Sequence, residues 1–148
     1  MGRIAFVFSG QGAQYPGMGR DLYEASPAAR EIFDLAESLR PGTLSQCFSG
    51  TKEELSQTIN TQPCLYCVDL AAAKALEEAG HVVLNPATLP DGLDDVDYMR
   101  ICMAMVDAAD LAVFLPDYQE SRGAMVEWAY CQRIGKDCAM YLDMKKGE

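Results

Sequence analysis

A three-layer α/β fold is what this sequence predicts, and three observations predict it. Four short apolar runs, Ile4–Phe8, His81–Leu84, Leu111–Leu115 and Cys138–Leu142, read as buried parallel strands, since strands covered on both faces are near-continuously apolar. Between them apolar residues recur at helical spacing. Capping and stop residues stand at the junctions: Gly80 before the second run, Ser121 before the last helix and Gly135 after it.

The first interval is the hardest to divide. From Gln14 to Asn60 the chain is broken by Pro16, Gly17, Gly19, Pro27, Pro41 and Gly42. Asp21–Leu39 is expected to be helical, with Leu22, Ile32, Phe33, Leu35, Ala36 and Leu39 available for burial. Thr51-Lys52-Glu53-Glu54 has the form of a capping box and predicts a short helix from Thr51 to Ile59. Leu65, Val68, Ala72, Leu76 and Ala79 then mark a helix face that stops at Gly80. Met99, Cys102, Met103 and Val106 mark a second, and Ser121 opens a third that ends near Ile134-Gly135. The methionines Met99, Met103 and Met105 read as core filling. The acidic run from Asp91 to Asp97 reads as a solvated loop and N-cap, and Asp107 and Asp110 as residues that close a helix and open a strand.

Composition excludes several classes. The chain has 148 residues, 49% hydrophobic and 23% charged, which suits one domain with a single core spanning residues 1–148. Its formal charge is -10, shared between residues 1–80 (-4) and 81–148 (-6), and no basic cluster is present to neutralise a phosphate backbone. Nucleic acid is therefore not the expected partner. No apolar run is long enough for a membrane span, and no signal peptide is recognisable, so a cytoplasmic protein is expected. Cys47, Cys64, Cys67, Cys102, Cys131 and Cys138 lie in apolar segments and read as reduced, buried residues. Cys64 and Cys67 form a C-x-x-C, but with no second pair and His81 as the only histidine no zinc site is expected. No cofactor is expected either.

The run Gly2-Arg3-Ile4-Ala5-Phe6-Val7-Phe8-Ser9-Gly10-Gln11-Gly12-Ala13-Gln14, continued by Tyr15-Pro16-Gly17-Met18-Gly19, Ser26-Pro27-Ala28-Ala29 and Thr61-Gln62-Pro63, resembles the start of malonyl-CoA:acyl carrier protein transacylases. The resemblance covers residues 1–80. It implies that the backbone at Gln11 helps hold an acyl oxyanion, a role for amide donors aimed at developing charge. The family's nucleophile is a serine in a Gly-His-Ser-x-Gly elbow shortly after the position of Gly80, and its catalytic histidine lies further on. This sequence has neither, and no cysteine stands in an elbow. Acyl transfer needs the nucleophile, its base and the oxyanion donors together.

Residues 76–141 carry a second resemblance, through Leu76 to Ala87, Asp97-Tyr98-Met99-Arg100-Ile101, Asp107-Ala108-Ala109-Asp110 and Glu120-Ser121-Arg122-Gly123-Ala124-Met125-Val126-Glu127. This segment is similar to small proteins of unknown function that look like nucleoside 2-deoxyribosyltransferases. The resemblance implies that Glu127 is the nucleophile toward a sugar anomeric carbon, by two-step retaining chemistry. Ser121, Arg122 and Gly123 would hold an anion at the helix N-terminus. Taken alone, Glu127 in the second turn of a helix would be a solvated side chain, and Ser121 merely an N-cap. The relatives carry an acidic residue eight positions before the Asp of the Ala-Asp pair, where Cys102 stands here, which puts leaving-group assistance in doubt.

Together the two segments read as a fusion, with the crossover within Ala75–Gly80. The first strand can then fill the central position of a flavodoxin-like or Rossmann-like sheet of about four parallel strands, ordered 2-1-3-4. Ser9, Gly10, Gln11 and Asn85 would gather with Ser121–Glu127 at the carboxyl ends of the strands, as the substrate-binding residues. Three readings stand open: an enzyme acting on the N-glycosidic bond of a nucleoside or nucleotide, a non-catalytic nucleotide- or anion-binding module, and a truncated transacylase without its catalytic Ser and His. The second resemblance also implies a homodimer or larger homo-oligomer.

Overall fold

The computed structural model describes residues 2–7, 14–90, 92–115 and 118–140. The chain divides into two compact units, one formed by Met1–Gly10 with His81–Glu148 and the other by Gln11–Gly80.

The first unit is built on four parallel strands in the order β2-β1-β3-β4. These are β1 (Arg3–Val7), β2 (Val82–Leu84), β3 (Leu111–Phe114) and β4 (Cys138–Met140), close to the four apolar runs and in the expected order. Leu115 follows β3 and is buried; Phe8, Tyr141 and Leu142 lie outside the described residues. β1 takes the position between β2 and β3, with Arg3 opposite Val82 and Ile4 opposite Leu111. Its placement has a visible lock. Asp110 accepts the Arg3 amide at 2.7 Å and its guanidinium at 3.0 Å, while the Asp110 amide donates to the Arg3 carbonyl at 2.7 Å. An exposed ion pair is screened by solvent and adds little by itself, so the backbone bonds matter more for register. Asp110 thus opens β3 as expected, and its carboxylate also holds β1 beside that strand.

Two helices follow this sheet's strands in sequence: α6 (Asp95–Ala108) after β2 and α7 (Arg122–Ile134) after β3. Asp94 caps α6 by accepting the Asp97 amide at 2.8 Å, as the acidic run suggested; Asp91 lies outside the described residues. At its other end Lys136 donates to the carbonyls of Asp107 and Ala109, a cation where the helix dipole favours one. The unit's core gathers Val106, Ala109, Ala112, Phe114, Tyr118, Ala124 and Cys131. Phe114, Tyr118 and Trp128 stack with centroids 5.1–5.2 Å apart.

The second unit is helical: α1 (Arg20–Ala25), α2 (Pro27–Leu39), α3 (Thr43–Ser49), α4 (Lys52–Leu55) and α5 (Thr58–Glu78). The helix expected over Asp21–Leu39 is two helices. Pro27 cannot donate to the preceding turn, and Ser26, extended at φ -119°, caps α2 by accepting the Ala29 amide. Thr51 caps α4 as expected, but this helix ends at Leu55 and α5 has begun before Ile59. The short α3 was not foreseen.

Pro63 sits inside α5 and leaves the Ile59 carbonyl without its helical donor. Arg40 reaches that carbonyl at 3.4 Å while also donating to Asn60 at 2.8 Å and Gln46 at 2.6 Å. At Gly19 the backbone is left-handed, φ +75°, and an added Cβ would lie 2.5 Å from the Phe33 ring, so glycine is required twice over.

Candidate functional site

Ser121 follows β3 and caps α7, its Oγ accepting the Ala124 amide at 3.4 Å. Arg122 and Gly123 are the first two residues of α7, where backbone amides have no carbonyl within the helix to bond. Arg122 is exposed and Gly123 half-buried. Asn85 follows β2, and its carbonyl accepts from the Thr88 amide and hydroxyl, starting a one-turn helix over Pro86–Thr88. Because the strands are parallel, Asn85 and Ser121 both follow carboxyl ends of the sheet. With β1 between β2 and β3, those two strand ends are about 10 Å apart. Ser9, Gly10 and Gln11 lie outside the described residues.

The solvated Glu127 that its helix position alone suggests is not what the structure contains. Glu127 is 7% exposed, in a row with Ala124 at 1% and Cys131 at 0% on the inward face of α7. The sequence did hold a signal for this. Ala124, Glu127 and Cys131 are spaced at three and four, so Glu127 occupies a position where an amphipathic helix ordinarily places an apolar side chain.

Burial pushes the Glu127 carboxyl up to about 7, and a hydrogen bond with Cys102 of α6 pulls in the other direction. The Cys102 thiol is itself 9% exposed. Burial, and next the charge of Glu127, push it up to about 12, so near neutral pH it is a thiol able to donate to the carboxylate. The position read as a lost acidic group therefore holds a direct neighbour of the candidate nucleophile. A carboxyl that titrates near 7 is divided between its two forms at neutral pH, and can serve as a nucleophile when ionised or hold a proton when not.

The remaining candidates for chemistry have structural roles. Tyr130 donates to Asp107 at 2.8 Å, tying α7 to the end of α6. Ser26 caps α2 and donates to Glu78 at 2.7 Å. Cys47, Cys64, Cys67, Cys102 and Cys131 are buried free thiols and Cys138 is half-buried. Among the described residues no cluster of His, Cys, Asp and Glu could hold a metal ion.

Comparison with known proteins gives two matches along the chain. The acyl transferase domain family matches residues 5–89, and the chain belongs to that family. A domain of unknown function, DUF4406, matches residues 69–140. The matches overlap at residues 69–89, a stretch that includes Ala75–Gly80. The chain is 46% identical over 81 residues to the malonyl CoA-acyl carrier protein transacylase of Bacillus subtilis strain 168, covering 54% of this chain and 26% of that protein. To the enzyme of the same name from Synechocystis it is 37% identical over 78 residues, covering 53% and 26%. Among solved structures, the malonyl CoA-acyl carrier protein transacylase of Clostridium perfringens aligns with a TM-score of 0.50 at 30% identity, over 56% of this chain and 28% of that one. The acyltransferase domain of the second module of the salinomycin polyketide synthase aligns with a TM-score of 0.50 at 30% identity, over 77% and 21%. The chain thus spans about a quarter of the length of the transacylases it matches.

These matches support the transacylase resemblance of the first segment. The match over residues 69–140 is to a domain of unknown function, so the nucleoside resemblance of the second segment gains nothing from it. Among the described residues no helix is long and apolar enough to cross a membrane.

Proposed function

We propose that this chain is a transacylase-like fragment that does not transfer acyl groups by itself, and that any chemistry of its own resides at Glu127. The first half of the reading rests on family membership together with the missing Gly-His-Ser-x-Gly elbow and the single histidine, His81. Incubation with labelled malonyl-CoA and an acyl carrier protein tests it. No acyl-enzyme and no loaded carrier are expected; stoichiometric labelling of the chain would overturn it.

The second half is carried by one observation, the burial of Glu127 beside Cys102 with a carboxyl that titrates near 7. With the resemblance of residues 76–141, this favours action on the N-glycosidic bond of a nucleoside or nucleotide. The ionised Glu127 would attack the anomeric carbon. The carbon–nitrogen bond breaks, and the base leaves with its electron pair and takes a proton from solvent. Water or a second base then displaces the carboxylate. Ser121, Arg122 and Gly123 would receive an anionic group of the substrate, with Asn85 beside them in a flavodoxin-like or Rossmann-like sheet. Residues 1–80 would supply its first strand by fusion.

Chromatography of nucleosides and 5'-nucleotides incubated with the protein, with and without a second base, tests this reading. Released or exchanged base that disappears in Glu127→Gln is expected. Absence of release from every substrate would leave an anion-binding module, and Glu127 would then be a buried carboxyl without catalytic use.

A further inference from the structure

Two of the six cysteines, Cys131 and Cys138, are held thiol to thiol with one of them open to solvent. Cys131 is fully buried in the last turn of α7, and Cys138 is half-buried at the start of β4, the edge strand of the sheet. The Cys131 thiol donates to the Cys138 sulfur, and the Cys138 thiol donates to the Lys136 carbonyl at 3.3 Å. The turn between them is fastened at both ends. Gly135 is left-handed at φ +70°, and the Lys136 amide returns to the Cys131 carbonyl at 2.9 Å. The Lys136 ammonium binds the Asp107 and Ala109 carbonyls, and the Asp137 carbonyl accepts the Ala112 amide at 2.9 Å, which seats Cys138 beside β3. Thiols already in contact need little further ordering of the chain to be joined. A second thiol pair supplies the comparison: Cys47 and Cys64 also touch, but both are fully buried and neither meets solvent. A reacting cysteine has to be reached by its reagent and have a second thiol beside it, and among these two pairs only Cys138 meets both conditions.

We propose that Cys131 and Cys138 form a reversible disulfide site that is oxidised by exchange with a low-molecular-weight disulfide. Cys138 reacts first. Its thiol loses a proton to solvent, the thiolate bonds to one sulfur of the reagent, and the reagent's own sulfur–sulfur bond breaks to release one thiolate. Cys131 then loses its proton and attacks the Cys138 sulfur of this mixed disulfide, expelling the second thiolate. The two released thiolates take up the two protons, so two electrons pass from the cysteine pair to the reagent. Burial pushes both thiols up, Cys131 to about 12, and exchange therefore quickens as pH rises. The product closes a ring over residues 131–138 and ties the end of α7 to β4. The site does not depend on any role for Glu127.

Oxidised glutathione added to the full native chain at mildly alkaline pH tests the proposal, with the remaining thiols then blocked by iodoacetamide in urea and the chain digested with trypsin. Trypsin cuts after Arg133 and Lys136, so the disulfide joins two separate peptides, 123–133 and 137–145, which mass spectrometry detects and dithiothreitol parts. That linked pair is expected, forming at least ~tenfold faster than any link between Cys47 and Cys64. Cys131→Ser, with circular dichroism as the check on folding, should instead carry one glutathione on Cys138 and no link. A native chain that shows no link overturns the proposal, and so does wild type that keeps glutathione on Cys138, because Cys131 then fails to displace it. Links at both cysteine pairs at equal rates also overturn it, since opening of the whole fold would then be the route.

Discussion

Replacing Glu127 by Gln should stabilise the protein at neutral pH and leave it nearly unchanged in acid. The carboxyl has an ordinary value of 4.5 and is raised to about 7 by burial. A raised carboxyl favours the folded state only while protonated, so folding loses stability as pH climbs from about 4.5 toward 7. With those two values the loss at pH 7 is about 3 kcal/mol, since each tenfold change in proton affinity corresponds to ~1.4 kcal/mol. Gln has nearly the same shape, can accept from the Cys102 thiol through its carbonyl, and does not ionise. For a chain of this length ~3 °C accompanies each kcal/mol, which gives Glu127→Gln a melting point roughly 9 °C above wild type at pH 7. The gap should close to a degree or two at about pH 4.5. Thermal unfolding followed by circular dichroism at half-unit pH intervals measures this. A difference between the two proteins that does not change with pH would refute the reasoning, because it would show that Glu127 is not forced to ionise in a buried site.

Cys102→Ala should remove the thiol donor and raise the Glu127 carboxyl above about 7, while Cys102→Ser retains a donor and should hold it lower. Carbon-13 chemical shifts of labelled glutamate follow that titration, and equal midpoints in all three proteins would exclude the hydrogen bond. Asp69, buried in α5 with an unpartnered Oδ1, is raised well above its ordinary value by desolvation. Asp69→Ala should therefore stabilise the protein by about 1–2 kcal/mol at pH 7, the removal of an unpaired polar group and a better helix former outweighing a small cavity. That gain should shrink in acid, where Asp69 is protonated, and a lower melting point at pH 7 would contradict it. Gly19→Ala should cost about 2–4 kcal/mol in denaturant unfolding, since it adds left-handed strain to a Cβ 2.5 Å from the Phe33 ring and 3.0 Å from Val68. A loss below ~1 kcal/mol would mean that Phe33 can move aside.

The parts of this fold that depend on local pattern were legible in the residues. Four apolar runs became four strands, the Gly80 and Gly135 stops became left-handed helix ends at φ +88° and +70°, and Ser121, Asp94 and Thr51 became caps. Each of these is decided within a few residues by backbone sterics or by one side-chain hydrogen bond. The order 2-1-3-4 was also within reach, because a first strand supplied by one segment had a single central place to fill in a sheet made by the other. Where local rules conflict, the reading was less complete. Pro27 splits a helix that the apolar spacing alone would continue, while Pro63 sits inside α5, with Arg40 reaching the carbonyl left without its donor.

The sequence by itself determined that residues 1–148 hold no Gly-His-Ser-x-Gly elbow, which needs no coordinates to be noticed. It also marked Glu127 and Cys102 as positions worth watching, twenty-five residues apart and with no local reason to interact. Only the tertiary structure brought them together. Packing against α6 turns one face of α7 inward, which removes Glu127 from water and sets its carboxyl against the Cys102 thiol. The lock between Arg3 and Asp110 is of the same kind: each reads as an ordinary surface charge until β1 pairs with β3. Burial and long-range pairing are properties of the folded chain as a whole, and the affinity of a carboxyl for its proton follows from them rather than from its neighbours in sequence.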